Sequence, residues 1–196
     1  MFLSLCAGIS ILWGCQTKPY EKIEIDTRII LVNPEMSEDF AVAQVKSTEI
    51  FCKDLKVSLK ITDVIVLPSM EEAYVDQVLN PNHLCIYYFP PNQQVAGISS
   101  FPWHEQSNYI MVYGTQLDKT MWHEFLHWCG LYHTHEHPTD FVEDTPVFIP
   151  SMAKYNPNVM AYNILTDDRQ IVTPGLIERA RYFLLNNRIW TFGRLK

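Results

Sequence analysis

His123 to His133, read as HEFLHWCGLYH, constrains this chain more than any other stretch. Read as a helix, it sets His123 and His127 one turn apart on one face. Two imidazoles at that spacing can close on one zinc ion, with Glu124 beside them as general base. Gly130 then ends the helix, because glycine takes the left-handed conformation that a sharp turn needs. The turn returns His133 as a third nitrogen donor. Three protein ligands leave one position open, which marks a catalytic rather than a structural zinc site. The alternative is a helix end carrying satisfied core histidines. A bare His-Glu-x-x-His arises by chance far more easily than one followed by glycine and a third histidine.

The chain has 196 residues, which suits one domain, or one domain in two lobes around a cleft. Apolar residues make up 47% and charged residues 19%, so a core can be filled and the composition is not that of a disordered chain. The net charge of -7 argues against nucleic acid, whose phosphates ask for a basic face. No internal repeat or low-complexity segment is present.

Met1 to Gly14 is apolar and uncharged, and is shorter than the roughly 20 residues of a spanning helix. It reads as the apolar part of a secretory signal. Leu12-Trp13-Gly14-Cys15 resembles a bacterial lipobox, in which the cysteine carries the lipid. Trp13 is large for its place in that pattern, and no basic residue precedes the apolar run. An ordinary cleaved signal, or the end of a membrane anchor, is the other reading. The expected division is signal and lipobox over 1–15, a tether over 16–20 and one catalytic domain over 21–196. Within that domain, 21–130 forms an upper lobe and 131–196 a lower one. The expected location is the bacterial cell envelope, with the membrane touched only through the lipid, or the exterior.

Three cysteines remain beyond Cys6 and Cys15: Cys52, Cys85 and Cys129. An odd number in an exported protein leaves at least one free thiol. Cys129 lies in the zinc helix and reads as a small buried apolar residue. Export permits a Cys52–Cys85 disulfide. Zinc ligation by cysteine is disfavoured, since no Cys-x-x-Cys pair exists.

Ile23–Val32 alternates and then turns continuously apolar, as a strand entering a sheet does. Ser37 can cap a helix to about Leu55. Val57–Leu67 is β-branched and reads as a strand. Ser69-Met70-Glu71-Glu72 opens a second helix to about Leu79. Leu84–Phe89 is a third strand. Alternating strands and helices favour a mainly parallel sheet with helices packed on it. Val95–Phe101, interrupted by Gly97, is either an edge strand or a surface loop. Tyr109–Tyr113 is a further strand. A cap within Thr115–Asp118 leads into the zinc helix, which runs to about Cys129. Thr173-Pro174 starts a last helix, to about Asn187, that should pack under the site. The expected fold class is therefore α/β (α+β): a twisted, mainly parallel five-stranded sheet with helices, then a small irregular C-terminal lobe.

The zinc stretch has the metzincin form of the zincin motif. Downstream come Asp140-Phe141-Val142-Glu143-Asp144-Thr145-Pro146, then Asn158-Val159-Met160-Ala161-Tyr162, and Gln170 before the last helix. In that order they resemble the pappalysin family of metzincins, which includes the bacterial cytophagalysins. The likeness spans Trp122 to about Arg181. It implies a zincin-like fold and a zinc endopeptidase. Met160 would be the methionine of the Met-turn, an apolar floor under His123, His127 and His133. Tyr162 matches a position where several metzincins hold a tyrosine near the metal, and its hydroxyl could stabilise an oxyanion; an ordinary buried tyrosine is the alternative. Asp140 and Asp144 have two readings. They could help bind calcium, as this region does in family members, or cap turns and orient the histidines. His135 and His137 read as solvent-facing loop residues. The loop from His133 to Met160 is short and lacks the cysteines of larger relatives, and no latency segment is expected before the domain.

The expected activity is hydrolysis of peptide bonds in a protein or peptide by a monomer. Zinc activates water and polarises the carbonyl, while Glu124 takes the water proton and passes it to the leaving amine. Two rivals stand beside it: a non-catalytic, zinc-stabilised binding lipoprotein, and an exopeptidase or amidase of narrow specificity. Glu124 argues against the first, because a structural zinc site has no use for a base.

Overall fold

The computed structural model describes residues 21–32, 35–79, 83–92, 94–102, 108–114, 118–133, 158–160 and 172–186. Among these residues nine elements follow one another. They are β1 (Ile23–Leu31), α1 (Glu38–Phe51), β2 (Val57–Val66), α2 (Met70–Leu79), β3 (Leu84–Phe89), β4 (Gly97–Ser99), β5 (Tyr109–Tyr113), α3 (Asp118–Trp128) and α4 (Pro174–Asn186), with a short 3-10 turn at Lys53–Leu55. The sheet has five strands in the order β2-β1-β3-β5-β4. All neighbours are parallel except β4, which runs antiparallel to β5 at the edge. The α/β class and the mainly parallel sheet are as the alternation of elements predicts.

Side chains alternate across this sheet with period two, and the two sets build two cores. Ile23, Ile25, Ile29 and Leu31 of β1 join Leu84, Ile86 and Tyr88 of β3 and Ile110 and Val112 of β5 on the face that also holds α1, α3 and α4. Ile30, Cys85, Tyr87 and Phe89 lie on the other face with Ala73 of α2. Burial on both faces explains why β3 reads as an uninterrupted apolar run, LCIYYF.

Three helix starts use the hydroxyl caps that the sequence offers. Ser37 Oγ accepts from the Phe40 amide at 3.2 Å, Ser69 Oγ from Glu72 at 3.2 Å and Thr173 Oγ1 from Leu176 at 3.3 Å. Each contributes on the order of 1 kcal/mol by satisfying an otherwise orphaned amide.

Cys52 and Cys85 are both free and buried. They sit in different cores, on opposite faces of the sheet, so no disulfide joins them. Sequence spacing carries no information on which face a cysteine will occupy. Burial pushes the Cys52 thiol pKa well up, and Cys129 is near enough to raise it further.

Two contacts fix α3 on this frame. Midway along it Trp122 stacks on Phe51 of α1 with ring centroids 4.2 Å apart, and its indole donates to Ser47 Oγ at 3.2 Å. At its C-terminal end the Trp128 indole donates to Asn108 Oδ1 at 2.7 Å, while the Asn108 amide donates to the His83 carbonyl at 2.7 Å. Asn108 thereby joins the last turn of α3 to the starts of β3 and β5. Buried Arg181 of α4 donates to the carbonyls of Leu55 and Glu21, the latter at 2.9 Å, and holds the terminal helix against the same core.

Candidate metal centre

The last turn of α3 builds the centre. The Leu131 amide donates to the Leu126 carbonyl at 3.1 Å, and the Gly130 amide to the His127 carbonyl at 2.8 Å. This pair of bonds is the Schellman termination, with Gly130 in its left-handed position at φ 95°. The turn reverses the chain within three residues and brings His133 back over the helix.

The Nε2 atoms of His123, His127 and His133 then form a triangle with 3.0 Å along each side. His123 and His127 are buried and His133 is half-buried. The outer nitrogens decide what the inner ones carry. His123 Nδ1 is 2.7 Å from the Val159 carbonyl, and His127 Nδ1 is 2.6 Å from the Leu131 carbonyl. A carbonyl only accepts, so both Nδ1 atoms hold the proton, and in the neutral ring each Nε2 offers a lone pair. Lone pairs converging at 3.0 Å repel one another unless a cation lies between them. The centre of such a triangle is about 1.7 Å from each corner, less than the zinc–nitrogen distance of about 2.0–2.1 Å. His123, His127 and His133 at this spacing could together hold one such ion. The donor set fits zinc.

The surroundings keep His127 neutral. Burial, and then the charges of His123 and His133, hold the His127 pKa well below 6.5, against the opposing effect of its bond to Leu131. The imidazole stays unprotonated, as a ligand must. The Phe101 ring meets the His127 ring edge-on at 5.4 Å and the Tyr132 ring at 5.1 Å, so Phe101 packs between the second ligand and Tyr132.

Glu124 is buried next to the triad, and burial raises its pKa to about 7. It faces β4. A Cβ added to Gly97 would stand 2.5 Å from Glu124 Cγ. The Ser99 hydroxyl, on the same side of β4, is close enough to the carboxylate to offset part of its rise, yet has no partner at hydrogen-bonding geometry among the described residues. From the sequence, Gly97 is a break in a strand and Ser99 has no assigned role. Their signal lies in a contact between β4 and α3 that no local pattern encodes.

Val159 and Met160 are fully buried, and the Met160 amide donates to Asn158 Oδ1 at 2.8 Å. The segment that carries Met160 thus meets the triad through the Val159 carbonyl. Tyr162, Asp140, Asp144, His135, His137 and Cys15 lie outside the described residues. Among the described residues, His123, His127 and His133 are the one group of His, Cys, Asp or Glu side chains that could hold a metal ion.

No family model matches this sequence, and no curated protein does. Solved structures do match in shape. Mature mirolysin of Tannerella forsythia, in complex with a cleaved peptide, aligns with a TM-score of 0.58 at 14% identity, covering 83% of this chain and 92% of that one. The chain shares its fold with mirolysin. A point mutant of promirolysin from the same organism gives 0.59 at 13% identity, over 89% of this chain and 85% of that one. A chaperone–substrate complex gives 0.51 at 18% identity, covering 85% of this chain but 36% of that one. At such identities the likeness is one of fold.

Proposed function

We propose that this chain is a zinc-dependent endopeptidase of the metzincin type, with the pappalysins as its family. The observation that carries the reading is the convergence of three Nε2 atoms at 3.0 Å, those of His123 and His127 unprotonated, with buried Glu124 alongside. The fold shared with mirolysin, a metalloprotease solved with a cleaved peptide, supports it.

His123, His127 and His133 would hold the ion. When bound, zinc supplies a Lewis acid that makes water more acidic and polarises a carbonyl. Glu124 takes the proton of the attacking water and later gives it to the departing amine. Burial, which raises the Glu124 pKa, makes the carboxylate a stronger base. The exposed edge of β4 offers main-chain groups to an extended peptide, which would lie as an added strand beside Glu124. Met160 serves as an apolar floor, and Tyr162 as a donor to the oxyanion. Asp140 and Asp144 stand as candidates for calcium. Export and lipid attachment at Cys15 belong to the same proposal, on the strength of Met1–Cys15 alone.

The test is cleavage of a mixed peptide library by a soluble form beginning at Gln16, beside Glu124→Ala at matched zinc content. Internal cuts by the parent and none by the variant are expected. Release of terminal residues only would point to an exopeptidase. No cleavage by a folded, zinc-loaded parent would overturn the enzymatic reading.

A further inference from the structure

Gly97 and Ser99 are two residues apart on β4 and therefore face the same side. That side is the one occupied by Glu124. A Cβ at Gly97 would stand 2.5 Å from Glu124 Cγ, 2.8 Å from Oε1 and 2.9 Å from Cδ. All three distances are shorter than real Cβ contacts, so only glycine lets the Glu124 side chain rest where it does. Glu124 is buried, and α3 is held on either side of it by Trp122 and Trp128, so the helix has little freedom to retreat here. Ser99 Oγ is buried and has no partner at hydrogen-bonding geometry among the described residues. A buried hydroxyl left this way is destabilising unless something makes use of it.

We propose that Gly97 and Ser99 are positioning residues, the bare face of one seating the Glu124 side chain and the hydroxyl of the other orienting its carboxylate. Glycine supplies a flat surface against which the Glu124 methylenes lie. Ser99 supplies one donor at the end of that surface. The strand expected to receive the peptide thus also aims the base. The catalytic consequence rests on the peptidase reading above; the seating itself does not.

The test is a double-mutant cycle in thermal stability at matched zinc content: parent, Gly97→Ala, Glu124→Ala and both together. Gly97→Ala should lower Tm by about 3 °C or more in the parent. In the Glu124→Ala background, where nothing remains for the new Cβ to meet, the loss should be under about 1 °C. Equal losses in both backgrounds would overturn the seating. In the active protein, Gly97→Ala should lower kcat at least tenfold with KM changed less than threefold and zinc content unchanged. Ser99→Ala should lower kcat several-fold, and Ser99→Thr, which keeps the hydroxyl, should restore part of it. Parental kcat in Ser99→Ala would overturn the role given to Ser99. A parent that cleaves nothing would overturn the peptidase reading alone, because the stability cycle still decides the seating.

Discussion

His123 donates from Nδ1 to the main-chain carbonyl of Val159, 2.7 Å away and 36 residues further along the chain. This bond joins the helix that bears two of the histidines to the segment that bears Met160. It also fixes the tautomer of His123, and so the lone pair it turns inward. The Val159 carbonyl cannot be removed by substitution, but its neighbour can. Asn158 Oδ1 accepts from the Met160 amide at 2.8 Å and is buried. Asn158→Ala would strip a buried amide of its partner, at about 1–3 kcal/mol. It should also loosen the carbonyl that orients His123. Outer partners of metal ligands commonly carry at least about tenfold in affinity. A tenfold or greater loss of zinc affinity is expected, read by competition with a chromophoric chelator; unchanged affinity would show that the turn does not steer His123.

Metal removal should be visible in stability as well as in activity. A ligand bound only by the folded state at about 1,000 times its Kd adds about 4 kcal/mol. At about 2–4 °C per kcal/mol, chelation should then lower Tm on the order of 10 °C, and added zinc should restore it. His133→Ala removes one corner of the triangle and should shrink that response. A parent whose Tm ignores both chelator and zinc would mean that the triad binds no metal.

Glu124 and His127 predict opposite pH dependences in the zinc-free protein. Burial raises the Glu124 pKa from 4.5 to about 7. Between those values the folded state keeps a proton that the unfolded state has lost, so stability falls as pH rises. Above pH 7 the accumulated cost is about 3 kcal/mol, at about 1.4 kcal/mol for each pH unit between the two values. Glu124→Gln should therefore stabilise the zinc-free protein by about 3 kcal/mol at pH 8 and by about 1 kcal/mol near pH 5.5. The His127 pKa is lowered instead, so its cost appears as pH falls below 6.5 and should persist in the variant. Urea unfolding at the two pH values distinguishes these effects. An equal gain at both would show that the carboxylate is not the source.

Gly130 meets two constraints at once. Its φ of 95° disfavours any side chain, and a Cβ there would stand 2.5 Å from Phe183 Cδ2 on α4. Gly130→Ala should cost about 3 kcal/mol, of which roughly 1–2 is the left-handed backbone. Adding Phe183→Ala should relieve the steric part but bring its own cavity. Thermal unfolding of the two single variants and the double variant checks this. A double variant less stable than the sum of the two single losses would contradict the account.

Local chemistry makes much of this molecule legible. Ser37, Ser69 and Thr173 announce helix starts because capping is a matter of three or four residues, and all three cap. The His123–His133 spacing fixes the triangle because a helix turn and a Schellman turn set it without outside help. What depends on packing between elements is not legible. Val95–Phe101 suggests an edge strand that is shorter in fact, Gly97–Ser99, because pairing with β5 decides its length. Cys52 and Cys85 look like partners until the sheet separates them. Gly97 looks like a defect until Glu124 is set against it. The acceptors of the histidine protons leave no trace at all, since a carbonyl has no letter in the sequence.

The same two carbonyls, of Val159 and Leu131, bear on how such a centre persists through descent. An orienting carboxylate can be lost by a single codon change. An orienting main-chain oxygen survives every substitution that leaves the turn intact. A lineage holding its histidines in this manner can rewrite nearly all of its surface and core while the donor triangle stays in place.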